Sequence, residues 1–183
     1  DEDMGAFKNE LEADSRIQYA SYSNYTFPGV NNTTVFRVAG SEDDFLFGTY
    51  VGDYDHIAAM GFEVIEGRGF SRDFPSDSSA ILINETAVEE IGWEDPIGKE
   101  MLFQGNQKLT VIGVMRDFNF ESLKNEIRPL ALRFTERGNS LTIRFSADNP
   151  TEVIDIVSEK WKEFGPGKPF EYSFLDERFD ELY

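Results

Sequence analysis

The chain has 183 residues, enough for one ordinary domain or two small ones, and 40% of them are apolar, with 17 Phe, 7 Tyr and 2 Trp, so it can bury a real core. Acidic residues number 35 against 17 basic, a net charge of −18, and such a field repels phosphate backbones and anionic lipid surfaces, which argues against a nucleic-acid partner. With no cysteine, disulfides, thiolate zinc sites, iron–sulfur clusters and a cysteine nucleophile are excluded.

No run reaches the roughly 18–20 apolar residues of a membrane helix, and no basic-then-apolar leader is present. The sequence opens at Asp1 inside a helical pattern and stops at Tyr183 inside another. The expectation is a piece of a longer protein, with flanking segments and membrane spans outside it and with Asp1 and Tyr183 leaving from one side.

Taken in order, residues 1–13 predict a helix, with Met4, Phe7 and Leu11 on one stripe and acids at the start, where the helix dipole favours them. Residues 17–25 and 33–39 predict strands around a loop marked by Pro28–Gly29 and Asn31–Asn32. After an acidic loop at 41–44 comes a strand, 45–51. Asp53 is expected to cap a short helix through Met60 that Gly61 stops. A strand at 62–66 leads into the turn Gly67–Arg68–Gly69–Phe70 and a polar loop at 72–79.

Residues 80–83 predict a buried strand, and Asn84 caps a helix, 85–91, ended by Gly92. A hairpin follows, 99–104 and 108–115 around Gly105–Asn106, its second arm apolar on both faces. The stretch 111–123 then runs from that strand through Arg116–Asp117 into Phe118–Asn119–Phe120 and about one helical turn at 121–125. Strands are expected at 130–135, 141–145 and 170–175. Asn149, Pro150 and Glu152 form a strong helix start for 150–164, with Val153, Val157, Trp161 and Phe164 on one stripe. Asp176 is expected to cap a final helix, 177–183.

The pattern predicts an α+β fold with mixed sheets. The helix 150–164 between strands 141–145 and 170–175 reads as part of a split β-α-β layer, which the opening helix and strand complete. Residues 1–39 with 116–183 form that layer, and 40–115 form an insertion with its own small core. The elbow becomes a candidate hinge, with Asp117 capping its turn and Phe118, Phe120 and Leu123 wedged between the two parts.

Chemistry is sparse. The single histidine, His56, sits near Asp53 and Asp55, so a hydrolase reading would have to use those three; no G-x-S-x-G elbow accompanies it, and a solvent-facing or capping role is expected. The carboxylate clusters lack calcium-loop register. Gly61, Gly67 and Gly69 match no nucleotide-binding motif. The N-x-[ST] matches at Asn24, Asn31, Asn32 and Asn84 are read as accidental. No catalytic, metal or cofactor residue is assigned.

Several stretches in series carry a resemblance. They are Val51–Gly52–Asp53–Tyr54, Met60–Gly61–Phe62, Glu66–Gly67–Arg68–Gly69–Phe70–Ser71, Asp77 and Ile83–Asn84–Glu85–Thr86–Ala87. They continue with Gly92–Trp93–Glu94–Asp95–Pro96–Ile97–Gly98–Lys99, Val111–Ile112–Gly113–Val114, Asp117–Phe118–Asn119–Phe120–Glu121–Ser122–Leu123 and Pro129–Leu130. In that order the chain resembles the extracytoplasmic region of MacB/FtsX-type ABC transporter permeases, in a form common in Bacteroidetes-like bacteria. The end, Phe174–Leu175–Asp176–Glu177 with Phe179, Leu182 and Tyr183, resembles the run into the second membrane helix.

The resemblance implies a porter-like subdomain (1–39 and 116–183) carrying an inserted Sabre-like subdomain (40–115), placed between the first two of four membrane helices on the periplasmic side of the inner membrane. It implies a non-catalytic domain without cofactor that binds substrate or partner proteins and relays ATP-driven motion. The implied partners are the permease's own membrane helices, a second permease subunit, a cytoplasmic ABC ATPase and a periplasmic partner or substrate protein. A free-standing periplasmic ligand-binding module is the other reading.

Overall fold

The computed structural model of the chain describes residues 2–24 and 32–181. Helix α1 (Glu2–Glu12) leads into β1 (Ile17–Ser23), then β2 (Thr33–Val38), β3 (Asp44–Gly52), α2 (His56–Met60) and β4 (Val64–Gly67). A 3-10 turn (Pro75–Ser79) precedes β5 (Ala80–Asn84) and α3 (Glu85–Ile91). The hairpin β6 (Glu100–Phe103) and β7 (Gln107–Met115) is followed by β8 (Leu130–Phe134), β9 (Ser140–Phe145), α4 (Pro150–Phe164) and α5 (Leu175–Asp180). The fold is α+β with a mixed sheet.

Among the described residues nine strands share one sheet, ordered β2-β6-β7-β5-β8-β3-β1-β9, with β4 on β7. Because β2 also pairs with β3, the ladder closes on itself. Six strands (β2, β6, β7, β5, β8, β3) form a barrel, antiparallel except at β5/β7 and β3/β8. Beyond it, β1 joins β3 at Ser23–Gly52 and carries β9 on its outer edge. The barrel draws β2 and β8 from the segments flanking 40–115, so hydrogen bonding runs unbroken across residues 39/40 and 115/116.

Three cores follow from the two faces of this sheet, because strand neighbours alternate sides. Phe36, Phe47, Ile81, Ile83, Met101, Phe103, Leu109, Val111 and Ala131 fill the barrel, with Ala87, Val88 and Ile91 of α3 packed against them. On the outer face, Tyr50, Leu82, Leu130, Leu132 and Phe120 are covered by α2, by Phe118 and by Leu175 and Phe179 of α5. The third core holds α1 and α4 against β1 and β9 through Phe7, Leu11, Ile17, Val153 and Val157, and Phe7 meets the rings of Trp161 and Phe164.

Local signals explain the well-placed elements. Asn149 accepts from Thr151 N at the start of α4, with Pro150 at its first position. Gly67 adopts φ +68°, and a Cβ there would lie 2.1 Å from Ile112 O, so this turn glycine meets two demands no side chain satisfies. Asn84 does more than cap α3. Its Oδ1 accepts from Ala87 N and Leu130 N, both at 3.0 Å, and its Nδ2 donates to Arg128 O at 3.0 Å, tying β5 to the entry of β8. Asn84→Ala should therefore lose a cap worth about 1 kcal/mol and orphan a buried N–H costing about 1–3 kcal/mol more, and Asn84→Asp, which keeps the oxygen that accepts from Ala87 N and Leu130 N, should lose less. Thermal unfolding of the two variants checks the order.

Elsewhere the structure departs from the sequence pattern. Residues 121–125 form bends and a turn, not a helical turn. Residues 170–174 carry no regular structure and pair with no described strand; Phe170, Tyr172 and Phe174 contact one another in series through their rings rather than through a ladder. The expected third strand of the α4 layer is thus absent. Helix α5 starts at Leu175 with Phe174 in the cap position, and Asp176 instead accepts from Glu177 N within the first turn. The expected loop at Pro28–Gly29 and Asn31, and the juxtaposition of Asp1 with Tyr183, lie outside the described residues.

Candidate functional site

Two places gather the residues singled out by sequence. The first is the β3–α2 junction. Gly52 ends β3, and a Cβ there would lie 2.6 Å from the His56 ring, so the chain turns tightly over the imidazole. Asp53 is 3% exposed and does not cap α2; Asp55 holds the cap position, without a side-chain cap bond. The Asp53 carboxylate instead accepts from Ser21 Oγ (2.7 Å), Tyr22 N (2.9 Å), Asp55 N (3.0 Å) and the ammonium of Lys8 (2.9 Å). Lys8 also bonds Asp55, which Arg72 holds from the other side at 3.0 Å.

Lys8 sits on α1, between Met4 and Leu11 on the apolar stripe. Burial alone would draw its pKa down, but its hydrogen bonds to Asp55 and Asp53 and their charges outweigh that and raise it. Burial would raise Asp55, and hydrogen bonds from Arg72 and Lys8 hold it below the ordinary carboxylate range instead. The group fixes α1 to the junction of β3 and α2, with the charges of Lys8 and Asp53 out of water and Arg72 on the surface.

His56 is fully buried, which overturns the expected solvent-facing role. Its ring lies 3.2 Å (Nδ1) from Ser21 Oγ and 3.1 Å (Nε2) from Tyr50 OH. Since the Ser21 hydroxyl donates to Asp53, it accepts from His56 Nδ1–H, and Nε2 accepts from Tyr50; the network itself assigns this tautomer. A serine nucleophile needs the reverse, a histidine taking the hydroxyl proton with the carboxylate on its far nitrogen. Here Asp53 faces the serine, and all four side chains are covered. The constellation reads as a buried pin between β1, β3 and α2.

Burial drives the His56 pKa down to about 4, partly opposed by the charge of Asp53. The unfolded chain therefore binds a proton near pH 6.5 that the fold refuses. Stability is full above that pH and should fall by about 3 kcal/mol as pH drops from about 6.5 to about 4. Asp55 and Asp77, held below the usual 3.8, lose their contributions only at lower pH. Since protonating carboxylates also relieves the repulsion of the −18 charge, the readout is the difference between wild type and His56→Gln in urea midpoint across pH 4–7. Parallel curves would contradict the buried neutral imidazole.

The second place is the crossing at 116–123. Asp117 does not cap its own turn. Its carboxylate accepts from Thr86 N (3.0 Å) and Thr86 Oγ1 (2.7 Å) at the start of α3, and its N–H donates to Glu85 (2.8 Å), so it seats α3 on the end of β7. Phe118 stacks on Phe62 with centroids 4.0 Å apart and meets Phe120 edge-on at 5.8 Å. Phe120 is buried in the outer core. Leu123 is 64% exposed, where a wedged residue would be covered.

Sequence reasoning passed over Lys8, Ser21 and Tyr50. One signal was there: a lysine on the apolar stripe of an amphipathic helix demands a buried acid. Asp77, quoted above only as part of a motif, anchors its loop by accepting from Arg68 (2.8 and 2.9 Å) and Ser71 N (2.8 Å). Among the described residues no helix is long and apolar enough to cross a membrane.

The fold is shared with solved periplasmic and extracellular domains. The periplasmic region of MacB from Actinobacillus actinomycetemcomitans superposes with a TM-score of 0.71 at 19% identity, covering 97% of this chain and 81% of that one. The extracellular domain of the noncanonic ABC-type transporter YknZ from Gram-positive bacteria gives 0.58 at 18% identity, covering 87% and 78%. The chain belongs to the MacB-like periplasmic core domain family, whose model matches residues 3–165. No curated protein sequence matches it.

Proposed function

We propose that this is the extracytoplasmic domain of a MacB/FtsX-type ABC permease that binds a substrate or partner protein and relays ATP-driven conformational change, without catalysis of its own. It stands on the periplasmic side of the bacterial inner membrane, continuous with membrane helices, in a dimer served by a cytoplasmic ATPase. The observation that carries the relay is the position of α1. One flank packs on α4, and Lys8 on the other is ion-paired to Asp53 and Asp55 at the edge of the barrel. Pulling α1 away would strand buried charges, so its cheapest motion takes the β3–α2 junction with it.

The two moving parts are residues 1–39 with 116–183 and residues 40–115; the α1–α4 core is drawn wholly from the first set, while the barrel and outer cores take residues from both. The crossing with Asp117, Phe118, Phe120 and Leu123 is the proposed hinge. Two experiments bear on this. The isolated chain should neither bind nor hydrolyse ATP, and measurable turnover would overturn the reading. In the full-length permease, Phe118→Ala should leave ATP hydrolysis intact and weaken transport; unaltered transport would make the crossing an ordinary connector.

A further inference from the structure

The arginines of this acidic chain are mostly claimed. Arg16, Arg37, Arg68, Arg72, Arg116 and Arg128 each hold a carboxylate. Arg133 is different. It lies on β8 in register with Ile81 at the start of β5, two residues after Ala131 and on the same inner face of the barrel. Because α3 follows the end of β5, Arg133 stands at the opposite mouth. Its guanidinium lies 4.2 Å above the ring of Phe103, a barrel-core residue. Its Nε is covered and has no hydrogen-bond partner among the described residues.

Burial lowers its pKa, with no acid opposing the shift. A second polar atom on that inner face, Thr49 Oγ1, is also buried without a partner among the described residues; Thr49 is in register with Ala131. The stretch 25–31, which joins β1 to β2 outside the described residues, contains no Asp or Glu. A half-buried cation against an apolar wall is normally paired, and among the described residues nothing pairs this one.

We propose that Arg133, backed by Phe103, is a binding site for a carboxylate supplied from outside the domain. A planar guanidinium held on an aromatic face presents its free edge to a planar two-oxygen acceptor, the geometry that favours bidentate carboxylate recognition. The carboxylate comes either as a free small acid or as a glutamate side chain of a partner polypeptide. The site does not depend on the permease reading.

The test follows the Arg133 Nε–H resonance in the wild-type domain, assigned by its loss in Arg133→Gln. Titrations with sodium acetate and with a short capped peptide bearing one glutamate are compared with sodium chloride at equal ionic strength. A saturable shift with acetate or with the peptide, absent with chloride, is expected; peptide alone indicates a partner's side chain, and acetate a free acid. Arg133→Gln should also unfold at a higher temperature than wild type in chloride, since it removes an unpaired half-buried charge, and should lose the stabilisation that acetate or the peptide gives. A resonance that neither probe moves, or that chloride moves equally, overturns the proposal.

Discussion

Lys8→Met should cost the domain about 3–5 kcal/mol, the range for removing one partner of a buried ion pair. The methionine fills the space of the lysine stem, so packing against Met4 and Leu11 is kept and the loss is electrostatic. Asp55 keeps Arg72, but Asp53 is left 3% exposed with only neutral donors around its charge. Lys8→Met combined with Asp53→Asn should recover a good part of the loss, because the stranded charge goes with it. Urea unfolding of the two variants measures this, with an unchanged slope expected if the folded state is otherwise the same. A single-variant loss below about 1 kcal/mol would mean that the pair contributes no more than a surface salt bridge.

Phe120→Ala should destabilise by about 3–5 kcal/mol, as large-to-small changes of buried aromatics do. Its ring is 2% exposed, packed in the outer core against Phe118 and beneath the Arg128 guanidinium at 5.5 Å. Leu123→Ala, on the exposed end of the same crossing, should stay within about 0.5 kcal/mol of wild type. The pair of measurements separates two roles inside one segment: Phe120 anchors the crossing to the barrel, and Leu123 lies on the surface. Equal losses at both positions would restore the picture of a segment wedged along its whole length.

The residues that sequence reading placed well are those whose partners are near in the chain. Asn149 with Pro150, Asn84 before α3 and the hairpin of β6 and β7 all show themselves within a few positions. What stayed hidden depends on distance. The barrel closes through parallel pairing of β3 with β8, strands some eighty positions apart whose own patterns say nothing of each other. Asp53-Tyr54-Asp55-His56 reads as a polar, exposed helix start, and becomes a buried pin only because Lys8 and Ser21 come from another part of the chain. The alternation at 170–174 carries the signature of a strand, but a strand needs an open edge to pair with. The same holds for Arg133, which looks like one polar residue in a strand until the barrel curls its side chain inward beside Phe103.

The claim that motion of α1 is carried into the barrel has a direct test in the full-length permease reconstituted with its ATPase. Spin labels placed by Leu46→Cys, on the exposed outer face of the barrel, and Glu159→Cys, on the exposed face of α4, in a background without other cysteines report the distance between the two parts by electron–electron resonance. The account predicts a mean distance that changes when ATP is added, and a larger change when Lys8→Met is introduced, since the barrel then no longer follows α1. Identical distance distributions with and without ATP would contradict it.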